Sequence, residues 1–84
     1  MIRRVEVVVH LKEGLADPQG KAIQDALPTL GWKNVSDVRA GKSILLTVDA
    51  ATEEEIEAQV AEMAHRVLSN PVIERFSVRM LEES

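Results

Sequence analysis

The chain has 84 residues, a net charge of −4, one Trp, one Phe, and neither Tyr nor Cys. These values exclude a disulfide-stapled scaffold and disfavour a nucleic-acid binder, which needs clustered positive charge to meet phosphates. No stretch approaches the ~18 consecutive apolar residues of a membrane-spanning helix. One domain, residues 1–84, with an aliphatic core is expected. A domain of this size buries only about 60–65% of the surface its unfolded chain exposes, so association with other chains is the available route to further burial.

The opening "MIRRVEVVVHLKEG" has too short an apolar run for a secretory signal and no small-residue cleavage site. The chain therefore reads as cytoplasmic. Residues 3–11 alternate, with Val5, Val7, Val9 and Leu11 on one face and Arg4, Glu6, Val8 and His10 on the other. That period of two predicts a half-buried strand.

"LKEGLADPQGKAIQDAL" follows. Asp17 has the chemistry of an N-cap and Pro18 sits where its missing N–H costs nothing, so a helix should begin here. Gly20 is not explained by the cap. A glycine in a first helical turn costs up to about 1 kcal/mol against alanine, which points to close approach of another backbone, from this chain or from a partner. Ala22, Ile23, Ala26, Leu27 and Leu30 form an apolar stripe, and Gly31 is a left-handed stop. Pro28 removes a hydrogen bond to Gln24 and should distort or shorten the helix.

Residues 35–40, "VSDVRA", read as a short strand, and residues 42–49 as another, with Ile44, Leu46 and Val48 on one face. Gly41 between them suggests a hairpin. "AGKS" ends like a phosphate-binding loop. That motif needs a glycine where Ser36 stands and a helix where "ILLTV" stands, so a turn is the better reading. Arg39 and Lys42 flank it with positive charge.

Thr52 and Glu55 make a capping box, and Ile56, Val60, Met63, Ala64, Val67 and Leu68 the apolar stripe of a second helix ended by Asn70-Pro71. A last strand, residues 72–80, carries Val72, Phe76, Val78 and Met80 on one face. Two strand–helix–strand units predict an α+β, ferredoxin-like βαββαβ fold. Its four-stranded antiparallel sheet would carry both helices on one face. The other face would present Val8, Leu45 and Ile73, a patch that a second subunit could cover in a dimer.

Candidate chemistry is sparse. His10 and His65 are the only histidines, and no metal-ligand spacing is present. The run of Glu53 to Glu57 is a helix start with a solvated face. No serine lies in a nucleophile motif. No catalytic residue and no metal site is assigned, and a binding or assembly role is expected.

Three segments together carry a more specific signal: Asp17-Pro18-Gln19-Gly20, Val38-Arg39-Ala40-Gly41-Lys42 and Asn70-Pro71-Val72-Ile73-Glu74. In this order and spacing the chain resembles the PurS family, small subunits of phosphoribosylformylglycinamidine synthase, over nearly its whole length. Leu15-Ala16 stand where that family often has Val-Leu, and Pro28 departs from its pattern. The resemblance implies a non-catalytic assembly subunit in de novo purine biosynthesis. It would join a synthetase (PurL-type) chain, which uses ATP and Mg, to a glutaminase (PurQ-type) chain that releases ammonia. It also implies a homodimer or tetramer with no cofactor in this chain. Asp17, Gln19, Gly20, Arg39, Gly41, Lys42 and Asn70 are the expected partner contacts. The alternative from the fold alone is a dimeric ferredoxin-like module that senses a small metabolite.

Overall fold

The computed structural model describes residues 1–81. Its elements are strand β1 (Ile2–Leu11), helix α1 (Pro18–Ala26), a 3-10 turn (Pro28–Leu30), strand β2 (Gly41–Asp49), helix α2 (Glu53–Met63) and strand β3 (Glu74–Met80). The sheet is antiparallel with β1 in the centre, in the order β2-β1-β3. Val7 stands opposite Ile44 and Val78, and His10 opposite Gly41 and Arg75.

The alternation in β1 behaves as its sequence predicts. Val5, Val7 and Val9 are fully buried, and they meet Ile56, Val60 and Ala64 of the second helix, with Val48 at the edge. Phe76, Val78 and Met80 of β3, and Ile44 and Leu46 of β2, flank this core half-buried. Branched aliphatic side chains on a central strand pack tightly against a helix stripe, and this removes apolar surface from water.

α2 starts as a capping pair. Thr52 Oγ1 accepts from the N–H of Glu55 at 3.1 Å, while the Glu55 carboxylate reaches back to the N–H of Ala51 rather than to that of Thr52. At its far end residues Ala64–Leu68 open into a π turn, with the N–H of Ser69 bonded to the carbonyl of Ala64. Ile56, Val60 and Ala64 face the sheet at the spacing of four of the regular helix, and across the wider turn Leu68 still packs against that core. Met63 and Val67, expected in that stripe, are left outside; Val67 is 78% exposed.

The expected four-stranded sheet is not formed. Three strands are present among the described residues, and residues 31–40 pair with none of them. Gly41 is accordingly no hairpin turn but the first residue of β2. The strand expected from residue 72 begins at Glu74, because Asn70 closes a turn over Pro71, Val72 and Ile73. Its carbonyl accepts from Ile73 and Glu74, and its side chain accepts from the N–H of Val72 at 3.1 Å.

The second correction concerns α1. Both helices were expected on one face, yet only α2 lies there. Within α1 only Gly20 is buried, and no α1 side chain joins the core among the described residues. Pro28 explains its early end: the α-helical bonding stops, a 3-10 turn takes over, and Gly31 closes it at φ +105°. α1 and residues 31–40 form an arm whose two ends meet at one end of the sheet, tied midway by Gln24 Nε2 donating to the carbonyl of Ser36 at 3.2 Å. The arm makes the molecule long, 51 × 30 × 14 Å.

Two substitutions test this division between core and periphery. Ile56→Ala should cost about 2–5 kcal/mol, and Val67→Ala less than about 0.5 kcal/mol. Urea unfolding of each variant measures both.

Candidate interaction site

Asp17 is built into the corner where the arm meets the sheet. It caps α1, with Oδ1 accepting from the N–H of Gly20 at 2.9 Å. Its other oxygen accepts from the N–H of Ala40, 23 residues further on, at 2.8 Å. Arg39 Nε lies 3.9 Å from the same oxygen, and the Asp17 side chain is only 7% exposed. Arg39 also donates to the carbonyl of Leu15 at 3.3 Å. One carboxylate thus closes the ring of residues between β1 and β2.

The Gly20 N–H bond, followed by that from Ala40, holds the Asp17 carboxyl below its ordinary pKa. Partial loss of water works the other way, and Arg39 adds to the lowering. Hydrogen bonds to the charged form are the dominant cause.

Gly20 now has a reason. A Cβ there would collide with the carbonyl oxygen of Val38 and with the Asp17 carboxylate. The close backbone approach expected from sequence is made within this chain. Gly41 is constrained similarly: a Cβ would lie 2.5 Å from the Val9 carbonyl and 2.6 Å from the His10 ring.

The structure brings most of the expected contact residues together. Asp17, Gln19, Gly41 and Lys42 line a hollow of about 380 Å³ with His10 and Glu74. Arg39 lies on the other side of Asp17, beside a second hollow of about 330 Å³. Asn70 does not line the first hollow but positions it. Its N–H donates to the Glu74 carboxylate at 2.7 Å. The corner therefore offers Lys42 and Gln19 outward, while Asp17 and Gly20 are engaged internally. The role of His10 in lining it was not anticipated; its pairing with Gly41 across the strands places it there.

Val8 lies on β1, Leu45 on β2 and Ile73 just before β3. Leu45 stands opposite Glu6, and Val8 opposite Ser43 and Ser77. Ile73 precedes β3, its carbonyl bonded to the N–H of Lys12. Leu45 is 64% exposed and Ile73 40%. Between them Glu6 accepts from the Ser43 hydroxyl at 2.7 Å and pairs with Arg79 at 2.8 Å. The Ser43 bond in particular keeps the Glu6 carboxyl below its usual range, helped by Arg79 against partial desolvation. His65 is exposed in the π turn that follows α2. Among the described residues no group of three or more His, Cys, Asp or Glu side chains is arranged to hold a metal ion. No described helix is long and apolar enough to cross a membrane.

Comparison with known proteins decides the family. Residues 4–82 match the family model PurS, described as phosphoribosylformylglycinamidine (FGAM) synthase. The chain belongs to the PurS family. The phosphoribosylformylglycinamidine synthase subunit PurS of Archaeoglobus fulgidus is 42% identical over 73 residues, which is 87% of this chain and 91% of that one. The crystal structure of Methanocaldococcus jannaschii PurS superposes with a TM-score of 0.85 at 33% identity, covering 100% of both chains. A chain of the Thermotoga maritima PurLQS structure gives a TM-score of 0.90 at 31% identity, over 96% of this chain and 99% of that one.

The Asp17 clamp yields two predictions. Asparagine has one acceptor oxygen, so Asp17→Asn can keep the bond from Gly20 but turns an NH₂ toward the N–H of Ala40. A plain cap would tolerate this change, whereas the clamp should lose thermal stability. Because the folded pKa is depressed, the wild-type advantage is present above the unfolded value near 3.8. It should fade as pH falls below that value through the folded one. Melting curves from neutral to acid pH should show the gap between wild type and Asp17→Asn closing in that window. Gly20→Ala should cost about 1–3 kcal/mol through the clash with Val38, read by urea unfolding.

Proposed function

We infer that this chain is the PurS subunit of FGAM synthase, an assembly subunit that performs no chemistry of its own. One observation carries the reading: the likeness to the PurS-type chain in the PurLQS structure runs through 96% of this chain. The resemblance is to a subunit that works inside a complex with PurL and PurQ. The metabolite-sensing alternative has no comparable support.

The physical need for such a subunit is clear. Ammonia freed from glutamine in open water is protonated and diluted, so the site that releases it and the site that consumes it must stay connected. A bridging chain can hold them in register with surface complementarity alone. ATP and its Mg belong in this scheme to the synthetase chain. The corner of Gln19, Gly41 and Lys42 is the proposed docking point, with Asp17 and Gly20 shaping it from behind and Arg39 and Asn70 at its margins. The subunit acts as a homodimer or tetramer. Val8, Leu45 and Ile73 offer a seam on the open sheet face.

Reconstitution tests the proposal. Purified synthetase and glutaminase chains should lose glutamine-dependent synthesis when this chain is omitted and regain it on its return. Unchanged synthesis without it would overturn the assembly role. Lys42→Glu should leave the melting temperature unaltered and weaken the complex by about tenfold, as expected for reversal of an interfacial charge; surface plasmon resonance against the synthetase measures this.

A further inference from the structure

Charge is divided between the two sides of the sheet. One side carries α2, which exposes Glu53, Glu54, Glu55, Glu57 and Glu62. No helix packs on the other side among the described residues. β1 turns Arg4, Glu6, Val8 and His10 toward that open side. The antiparallel register sets Thr47, Leu45 and Ser43 of β2, and Arg79, Ser77 and Arg75 of β3, beside them.

The cations that the strands place on this side are arginines, in a chain whose net charge is −4. Arg4 is exposed, and the Arg75 and Arg79 side chains are 64% and 70% exposed. The carboxylates of the same side are engaged already. Glu6 gives one oxygen to Arg79 at 2.8 Å and the other to the Ser43 hydroxyl at 2.7 Å. Asp49, at the far end, lies 3.5 Å from the N-terminal ammonium of Met1. Arg75 has only the largely exposed Glu13, at 4.0 Å.

This pattern matches the make-up of a protein interface. Leu45 and Val8, diagonal neighbours across β2 and β1, give an apolar centre with hydroxyls around it. Arg4 and Arg75 stand at its two ends, about 20 Å apart along the strands. Interfaces favour arginine over lysine, because the planar and weakly hydrated guanidinium pairs with a carboxylate through two bonds. A polyphosphate chain fits poorly, since Glu6 stands between the arginines and the molecule as a whole is anionic. A second copy presenting the same side would set arginine against arginine, which is costly.

We propose that the open side of the sheet docks an acidic surface of a different protein chain. Arg4, Arg75 and Arg79 pair with its carboxylates around an apolar contact at Val8 and Leu45. Glu6 positions Arg79 before the partner arrives, which lowers the ordering cost of docking. The proposal rests on the assembly reading and names the chemistry of the partner surface. The face adjoins the corner described above, because His10 stands beside both Gly41 and Arg75.

Surface plasmon resonance of the intact chain against the purified synthetase chain and the purified glutaminase chain, each in turn, tests it. The double variant Arg4→Glu/Arg75→Glu should raise the dissociation constant for one of them about tenfold or more. Its melting curve should match the wild type, since both side chains lie outside the core. Leu45→Asp should weaken the same complex, and Glu54→Lys on the opposite side should not. Raising salt from about 0.05 to 0.5 M should weaken wild-type binding more than that of the double variant. Undiminished affinity of the double variant for both chains overturns this proposal and leaves the assembly role standing. So does a double variant that changes only the sedimentation of the chain alone, which would give the face to a second copy, or only its retention on a polyphosphate resin. Wild-type binding to neither chain overturns the proposal and the assembly role together.

Discussion

The two-oxygen bridge made by Asp17 sets the shape of this molecule. A single carboxylate accepts from the first turn of α1 and from the residue just before β2, and so joins the start and end of the arm. Loop closure over that length is entropically inexpensive to extend but must be fastened somewhere. It is fastened at the sheet's end rather than along its face. The position of α1, the exposure of its apolar residues and the shape of the corner all follow from that placement. Gly20 and Gly41 are the steric conditions for it, because the backbones of Val38 and Val9 occupy the space that side chains would need.

This arrangement shows how a small chain without cysteine leaves a helix off its core. Three strands and one helix bury a short column of aliphatic side chains, Val5, Val7, Val9, Ile56, Val60 and Ala64. A domain below about 70–80 residues of packed structure rarely gains more than a few kcal/mol from such a core. The arm adds ordering cost and little burial within the chain. Ile23, Leu30, Trp32 and Val35 accordingly stay largely exposed outside the core.

Sequence reasoning reached the local features well and the long-range ones less well. The alternation of β1, the Thr52 cap, the Asp17-Pro18 helix start, the Pro28 interruption and the Gly31 stop are each written in neighbouring residues, and each appears in the structure. The segment of residues 35–40 was misread as a strand although Val35 and Val38 stand three apart and give no period of two, so the pattern fits an unpaired extended chain equally well. Pairing depends on what lies beside it, and nothing in "VSDVRA" says that β2 will keep that edge unpaired within the described chain. The phase of the second helix was lost for a related reason. A π turn at Ala64–Leu68 shifts the register by part of a residue, so Val67 turns outward although its spacing suited the core.

The site shows the same limit from the other side. Sequence singled out Gly20 as unexplained by the helix cap and named Asp17, Gly20 and Gly41 as partner contacts, but it could not tell an internal constraint from an external contact. Both demand a small residue or a fixed carboxylate, and both leave the same letter in the chain. Geometry separates them: a carboxylate 7% exposed with both oxygens engaged has little left to offer a partner, while Lys42 beside it remains exposed. The corner is best understood as a rigid internal frame that presents a few outward groups. Rigid presentation lowers the entropy lost when such groups meet a partner surface, because the frame is already fixed by bonds within the chain.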